Sequence, residues 1–572
     1  MFSPLRIEPG PLSELATQKF VRMRDGVRLA TDVYLPGGDV TPGETILIRL
    51  PYDKNGEYTF IPPIAAYMMG RGYRVVAQDV RGKFRSEGET LLMVNEAADG
   101  YDTIEWITQQ EWSNGRVAMW GDSYYGFTQW AAVSSQHPAL RAISPRVTGT
   151  QLGEPVVAHP GDVTRRVDWA VTLMYPLTFF HSNPTYHWDL DWSKRPFTDQ
   201  IEAFLAQVGQ RSISYDQWYP HPVHLRRFPF GSPFEARAIP VLQTIGWWDN
   251  CAPLSWADVA EIERRPAWAS NHYLRIESID HESYGLLDRP ESRVSERSPQ
   301  QIEALLPGML DPALDFFEVF VRDNGDAGRV PRVAWNLAGE EGMRTSPSWP
   351  PTGVRPVTLR AEAGGTLAVS AAPAESAAEG TAPVTPAAPG ALAEPATVVA
   401  WLHDAADPVP SSVENSFAFL LDKPDEAALG RRADVIVYES APLATHVELV
   451  GPAHATAMIS STGPSMDLFV RLLDVDEQGG ALRIARGQVH LVHATTPTSV
   501  TIDLTQLGYR LDAGHRLRVH LSSSDSPEFL PQPGTGADPW SAVDTTPNTQ
   551  SLTIGGPDGF SLTLSVLHGD LS

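Results

Sequence analysis

"RVAMWGDSYYGFTQWAAVSSQ" (116–136) opens on a short apolar run, turns at Gly121 and continues with helical spacing through Gly126. Ser123 stands at the turn. A strand-to-helix turn of this kind lifts a hydroxyl above a sheet and aims it at a helix N-terminus, and small neighbours permit the strained backbone. Taken alone the pattern fits two readings, a nucleophile elbow or an ordinary turn with a solvated hydroxyl. The surrounding chain has to decide between them.

Upstream, "FVRMRDGVRLATDVYLP" (20–36) alternates apolar and polar residues on both sides of Asp25-Gly26, the pattern of a β-hairpin. "TILIRLPY" and "YRVVAQDVRG" are apolar, β-branched runs separated by the helical stretch "PIAAYMMGRG". "NEAADGYDTIEWITQQEW" has helical spacing and leads into the run before Ser123. Strands alternating with helices predict a mostly parallel sheet covered on both faces. The alternation stops after "LRAISPRVTG", and residues 147–238 are rich in aromatics, His and Pro, which predicts a helical insertion. "IPVLQTIGWWDN" and "NHYLRIESIDHESYG" then restore two buried-strand patterns. From about 326, short alternating stretches between Gly and Pro turns predict a β-sandwich or jelly roll. The expected organisation is an α/β domain in two parts, 1–146 and 239–325, an inserted helical cap at 147–238, and a C-terminal jelly roll at 326–572. Within the last, the Ala/Pro-rich stretch 371–396 has too little to bury and reads as a surface loop.

Bulk properties narrow the function. A chain of 572 residues calls for two to four domains, and 42% hydrophobic with 20% charged residues is a globular balance. The net charge of −25, with no compensating basic block, argues against a nucleic-acid or anionic-membrane partner. No run approaches the roughly 20 apolar residues that span a bilayer, and the N-terminus lacks a signal-peptide pattern. Cys251 is the single cysteine, so no intramolecular disulfide is available and a cytoplasmic, reducing setting is expected. If Ser123 proves to be a nucleophile, the expected partner is a small-molecule acyl substrate; assembly into a homo-oligomer is left open.

If Ser123 is a nucleophile, an acid and then a histidine should follow in the chain, each on a loop beyond a later strand. Asp249 follows "IPVLQTIGWW" and His281 follows "HYLRIESID", the strand ends at which sites gather in open α/β sheets. His137 belongs to the end of the helix after the turn, and His272 to the wrong end of a strand. Asp280 adjoins His281, and neighbours in sequence seldom face each other, so Asp249 is the better acid. The carboxylate would hold the imidazole in one tautomer while it takes the serine proton. One oxyanion donor would be the backbone N–H of Tyr124, the residue after the nucleophile. The second should come from the loop after an early strand, where "RLPYDK" places Tyr52; by itself Tyr52 reads as a packed aromatic with its hydroxyl at the surface.

These residues carry a resemblance. "RLPYDK", "DVRGKFRSEGE", the 95–130 segment ending in "GDSYYGFTQW", "GWWDN" and "DPVPS" resemble the cocaine esterase branch of the X-Pro dipeptidyl-peptidase-like serine hydrolases. "RADVIVYESAPL", "MDLFVRLLDV" and "AGHRLRVHLSSSDSPEF" resemble that family's C-terminal jelly-roll, or galactose-binding-like, domain. The resemblance implies an α/β-hydrolase fold and a triad of Ser123, Asp249 and His281. It also implies an oxyanion hole from Tyr52 and the Tyr124 N–H, with no cofactor and no metal. "ESIDH" departs from the family's usual segment around the histidine. Tyr125 stands where the α-amino acid ester hydrolases of the family carry Glu, and only about 20 residues precede the first hairpin, without the N-terminal domain of the X-Pro dipeptidyl-peptidases. Both departures point to cleavage of an ester in preference to an amide. The alternative is an acyltransferase, or an aminopeptidase or α-amino acid ester hydrolase, using the same triad in a biosynthetic pathway.

Other candidates are weaker. "HSNPTYHWDLDW" gathers His181, His187, Asp189 and Asp191, but the spacing matches no standard metal pattern. Trp169, Tyr175, Phe179 and Phe180 read as packing of the inserted segment. Cys251 reads as a buried structural thiol, since no basic residue or His adjoins it in sequence.

Overall fold

The apolar runs around Ser123 lie side by side in a ten-stranded sheet. The structure, a computed structural model, describes residues 5–38, 40–153, 156–158, 163–166, 185–187, 190–218, 226–282, 298–370, 395–413, 416–422 and 424–572. The chain divides into two units, one of Met1–Pro155, Ala170–Ser348 and Asn415–Asp422, the other of Val156–Trp169, Trp349–Glu414 and Lys423–Ser572.

In the first unit the hairpin strands are β1 (Ala16–Arg22) and β2 (Arg28–Tyr34), turning where Gly26 takes φ 94°. The inner strands follow as β3 (Gly43–Leu50), β4 (Arg74–Asp79), β5 (Ser113–Asp122) and β6 (Leu140–Arg146). The sheet resumes with β7 (Val241–Gly246), β8 (His272–Glu277), β9 (Val333–Trp335) and β10 (Arg344–Ser346). The spatial order is β10-β9-β8-β7-β6-β5-β3-β4-β2-β1. All pairs from β4 through β9 are parallel, and antiparallel pairs occur at both margins. Parallel neighbours need crossovers, supplied by α1 (Ile61–Gly70), α2 (Glu96–Thr108) and α3 (Ser123–Ser135). The continuous apolar sequences of the inner strands follow from burial on both faces: Ile46, Leu47, Ile48 and Leu50 are all fully buried.

Between β6 and β7 the described residues include two helices, α4 (Phe197–Val208) and α5 (Ile213–Trp218), and three short strands, Val156–Ala158, Val163–Arg166 and Thr185–His187. Among its described residues the insertion thus holds short strands as well as the helices its sequence predicts. Val156, Val157, Val163 and Thr164 are β-branched, and Val163–Arg166 pairs with Ala481–Leu491 inside the second unit, so strand pairing takes over from the local pattern. Trp169, Tyr175, Phe179, Phe180, His181 and Asp189 lie outside the described residues, as does the side chain of His187 and most of the Ala/Pro-rich stretch. Asp191 is at the surface, ion-paired to Lys194 at 2.5 Å.

The second unit is sheet-rich and jelly-roll-like. Its long strand Val447–Ser461 pairs antiparallel with Thr498–Leu511 and Ser561–His568, while Met466–Val475 lies between Ala481–Leu491 and Arg516–Ser522. Alternate residues of these strands, Leu449, Ala455, Leu468, Val470, Leu517 and Val519 among them, form one apolar core.

One buried polar cluster in the first unit bears on the serine turn. Arg49 on β3, fully buried, donates to Gln78 Oε1 (2.8 Å), Glu96 Oε2 (2.9 Å) and the Glu96 carbonyl (3.1 Å). Glu96 Oε1 in turn accepts the Tyr124 hydroxyl at 2.8 Å, which itself accepts the Met93 N–H at 2.9 Å. The first turns of α2 and α3 are thereby tied together under the sheet. Removing one member leaves a buried charge without its counter-charge, a loss of about 3–5 kcal/mol. Arg49→Met should lower unfolding stability by that amount in urea titration; an unchanged midpoint would remove the cluster from the structural account.

Candidate active site

Ser123 occupies the first position of α3 with φ 52°, a conformation that a β-carbon makes costly. The adjoining glycines accommodate it. Gly121 has φ 153°, and a Cβ there would lie 2.1 Å from Tyr125 Cδ2. At Gly126 a Cβ would stand 2.5 Å from Thr148 Cγ2, so α3 can approach the β6 loop only without one. Asp122, just before the turn, is held by Arg146 Nε at 2.9 Å, across the parallel register that sets Asp122 beside Arg146.

Tyr52, Tyr58, Tyr125, Ser123, His281 and Glu282 line one cleft. The sequence placed Tyr52 just beyond β3, and its hydroxyl points inward, 3.5 Å from Ser123 Oγ. Burial drives the Tyr52 phenol pKa up, opposed by hydrogen bonding to Ser123 and to the Tyr124 backbone N–H, so the hydroxyl stays a proton donor. The loop is anchored by the next residues of "PYDK". Lys54, fully buried, donates from Nζ to Asp79 Oδ2 at 2.7 Å and from its backbone N–H to Asp79 Oδ1 at 3.0 Å, while Asp53 Oδ2 accepts the Gly10 N–H at 2.6 Å. Burial pushes the Asp79 carboxyl up to about 6 against the pull of Lys54.

Asp249 and His281, 32 residues apart in the chain, meet beyond the ends of β7 and β8: His281 Nδ1 lies 2.8 Å from Asp249 Oδ1. The parallel register that pairs Gly246 with Glu277 brings the two loops together. Asp249 Oδ1 also accepts the Cys251 N–H at 3.0 Å. Burial works to lower the His281 pKa, but the Cys251 sulfur and the Asp249 carboxylate, by charge and hydrogen bonding, hold it well above its ordinary 6.5. Cys251 thus stands beside a histidine that sequence neighbours did not reveal. His137 instead meets Glu105 at 3.0 Å, and His272 is buried against Gln243 with its pKa pushed down to about 3.

Asp280 has a different task from Asp249. Its Oδ1 accepts the Glu282 N–H at 3.0 Å and its Oδ2 the Leu420 N–H at 2.9 Å. Leu420 belongs to Ser416–Asp422, a short helical stretch within the first unit. The Phe417 carbonyl accepts the N–H groups of both His281 and Glu282 at 3.1 Å, and the Phe417 ring meets the imidazole edge-on with centroids 4.9 Å apart. Phe419 stacks on Trp248 at 5.2 Å, and Asn250 Nδ2 reaches Ser416 Oγ at 3.4 Å. A strap from far along the chain therefore braces the loops of Asp249 and His281 together. The sequence reading missed it, although "SFAFLLD" is an apolar helical run amid alternating strand patterns. Tyr58 and Glu282 were missed as well; the Tyr58 hydroxyl donates to Glu282 Oε1 at 2.8 Å inside the cleft.

The elbow, the loops beyond β3, β7 and β8 and the sheet order agree with what sequence comparison finds. Residues 25–281 match the X-Pro dipeptidyl-peptidase (S15 family) model, and 324–557 match the X-Pro dipeptidyl-peptidase C-terminal non-catalytic domain. The chain belongs to the X-Pro dipeptidyl-peptidase-like serine hydrolases. It is 28% identical to the cocaine esterase of Rhodococcus sp. (strain MB1 Bresler), over 91% of this chain and 93% of that one. In fold it is similar to an aminopeptidase of a marine-sediment Thaumarchaeota archaeon (TM-score 0.77, 20% identity, 98% of both chains). An α-amino acid ester hydrolase is similar to the same degree (TM-score 0.74, 20% identity, 98% of both chains). Ser416–Asp422 falls inside the range of the family's non-catalytic domain, yet folds as part of the first unit.

Two hydrogen bonds to a buried carboxylate are worth about 1.5–3 kcal/mol each. Asp280→Ala should lower kcat for ester hydrolysis at least ~10-fold, by that arithmetic, while far-UV circular dichroism stays native. Normal turnover in this variant would show that the His281 loop needs no tether to Leu420.

Proposed function

We propose that this serine hydrolase of the X-Pro dipeptidyl-peptidase-like family cleaves carboxylic esters through an acyl-enzyme on Ser123. The observation that carries the reading is the convergence in one cleft of Ser123 at a strained strand-to-helix turn, the Tyr52 hydroxyl 3.5 Å from its Oγ, and His281 hydrogen-bonded to Asp249 at 2.8 Å. Ser123 Oγ attacks the ester carbonyl while its proton passes to the free ring nitrogen of His281, and Asp249 holds the imidazole at Nδ1 and stabilises the cation that forms. The Tyr52 hydroxyl and the Tyr124 N–H donate to the developing oxyanion. The C–O bond to the alcohol breaks, the proton on His281 leaves with it, and water, activated by the same imidazole, releases the acid and restores Ser123. Esterase activity in a relative 28% identical over nearly the whole chain supports the choice of an ester. Hydrolysis and acyl transfer share the acyl-enzyme and differ in whether water or another nucleophile accepts the acyl group.

Ser123→Ala should abolish p-nitrophenyl ester hydrolysis and labelling by a fluorophosphonate probe in a natively folded protein. Label retained on the variant would place the nucleophile elsewhere. Tyr52→Phe tests the second donor. Phe keeps the ring, and its stability should match the parent's; kcat should fall about 10²–10³-fold with little change in KM, since the missing hydrogen bond is made chiefly in the transition state. Near-normal turnover would make the hydroxyl a bystander.

One observation favours a second reading. Glu282 brings a carboxylate into the cleft beside Tyr58, a group able to receive a substrate ammonium although Tyr125 replaces the Glu of the α-amino acid ester hydrolases. The expected outcome is a larger kcat/KM for unsubstituted short esters than for Ala-Pro-p-nitroanilide. The reverse order would overturn the ester preference and favour a dipeptidyl-peptidase-type reading, with Glu282 the candidate ammonium anchor.

A further inference from the structure

The described residues hold one set of three metal-ligating side chains whose ligand atoms converge: Asp249, Cys251 and His281 each offer an atom, and these lie within 4.8 Å of one another. All three are buried. Tetrahedral zinc, bound at about 2.0–2.3 Å, sets its ligand atoms roughly 3.3–3.8 Å apart. The set already approaches that spacing, and one pair, His281 Nδ1 and Asp249 Oδ1, is closer at 2.8 Å. A second feature points to a cation independently of the cysteine. The Asp249 side chain is fully buried, and among the described residues its Oδ2 has no hydrogen-bond partner. The triad geometry uses Oδ1 alone, which accepts both the His281 ring N–H and the Cys251 N–H. A buried carboxylate oxygen without a donor calls for an explanation, and a cation is one that suits its charge.

We propose that Asp249, Cys251 and His281 form an inhibitory site for a borderline-soft divalent cation of the zinc or cadmium class. A thiolate, an imidazole nitrogen and a carboxylate oxygen are the donors that Zn²⁺ and Cd²⁺ prefer, whereas Mg²⁺ and Ca²⁺ require oxygen shells. The ion enters by the cleft that His281 lines. It binds Cys251 Sγ with release of the thiol proton, takes a lone pair of the His281 ring and draws in Asp249 Oδ2. One thiolate and one carboxylate balance its double charge, and the fourth position faces the cleft. With that lone pair held by the ion, His281 can no longer take the Ser123 proton. On this proposal a bound ion stops the hydrolase.

The inhibitory consequence rests on the proposed ester hydrolysis; the binding itself does not, and the two are read separately. The full chain, stripped with EDTA and dialysed, is titrated with Cd²⁺ while the ultraviolet thiolate-to-cadmium charge-transfer band is recorded. Cys251 is the chain's single cysteine, so any band reports this site. The expected result is a band saturating at one Cd²⁺ per chain, present equally in Ser123→Ala, absent in Cys251→Ser, and shifted to at least ~10-fold higher Cd²⁺ in His281→Ala, since even outer partners of a metal site are worth that much. Zn²⁺ should stop p-nitrophenyl ester hydrolysis, EDTA should restore it, and Cys251→Ser, measured against its own uninhibited rate, should require at least ~10-fold more Zn²⁺. Absence of a band on the folded chain overturns the proposal. So does an equal midpoint with and without the His281 ring, which would reduce the event to a thiol binding metal alone, and so does zinc inhibition unchanged in Cys251→Ser. A chain that hydrolyses no ester but shows the histidine-dependent band would refute the proposed function and leave the metal site standing.

Discussion

A serine backbone held at φ 52° between a parallel strand and a helix is the constraint on which the first unit depends. An L-residue enters that region only where the surroundings over-determine it. Here they do so from several sides. Gly121 and Gly126 give up their side chains to Tyr125 and Thr148, Arg146 grips Asp122, and Glu96 grips the hydroxyl of Tyr124. The strain presents Ser123 Oγ to the cleft and leaves the Tyr124 N–H beside it, so one distortion serves two chemical ends.

The other groups in the cleft arrive by a common device, loops leaving the C-terminal ends of parallel strands, each tied down by a buried charge. Lys54 and Asp79 secure the loop of Tyr52, and the two oxygens of Asp280 secure His281 to the Ser416–Asp422 strap. Such ties cost desolvation, and in a core built only for stability apolar residues would serve as well. Where polar side chains must be held at fixed separations around a cleft, directional bonds carry out what apolar packing cannot.

The strap also explains why the region matched by the non-catalytic domain cannot be treated as inert. Its backbone carbonyl at Phe417 closes the N–H groups of His281 and Glu282, and its rings cover the imidazole and Trp248. "ESIDH" departs from the family's usual segment, and this bracing holds its histidine against Asp249.

Much of this was legible in the sequence because it rests on local rules. Period-two alternation around Asp25-Gly26, continuous β-branched runs for doubly buried strands and helical spacing between them specified the parallel sheet. The order of Ser123, Asp249 and His281 relative to strand ends pointed to three residues of which Ser123 and His281 line one cleft, with Asp249 hydrogen-bonded to His281. Asp249 was separable from Asp280 because adjacent residues on an extended chain point apart. Other features were decided only by tertiary structure, since they join segments that no local pattern relates. Cys251 reads as an inert thiol until the β7–β8 register sets it against His281. Val163–Arg166 becomes a strand because Ala481–Leu491 offers it an edge. Ser416–Asp422 becomes a brace because Asp280 offers it a carboxylate, and His281 and Glu282 each an N–H group. Periodicity reports which face of an element is buried, and only the folded chain settles what it is buried against.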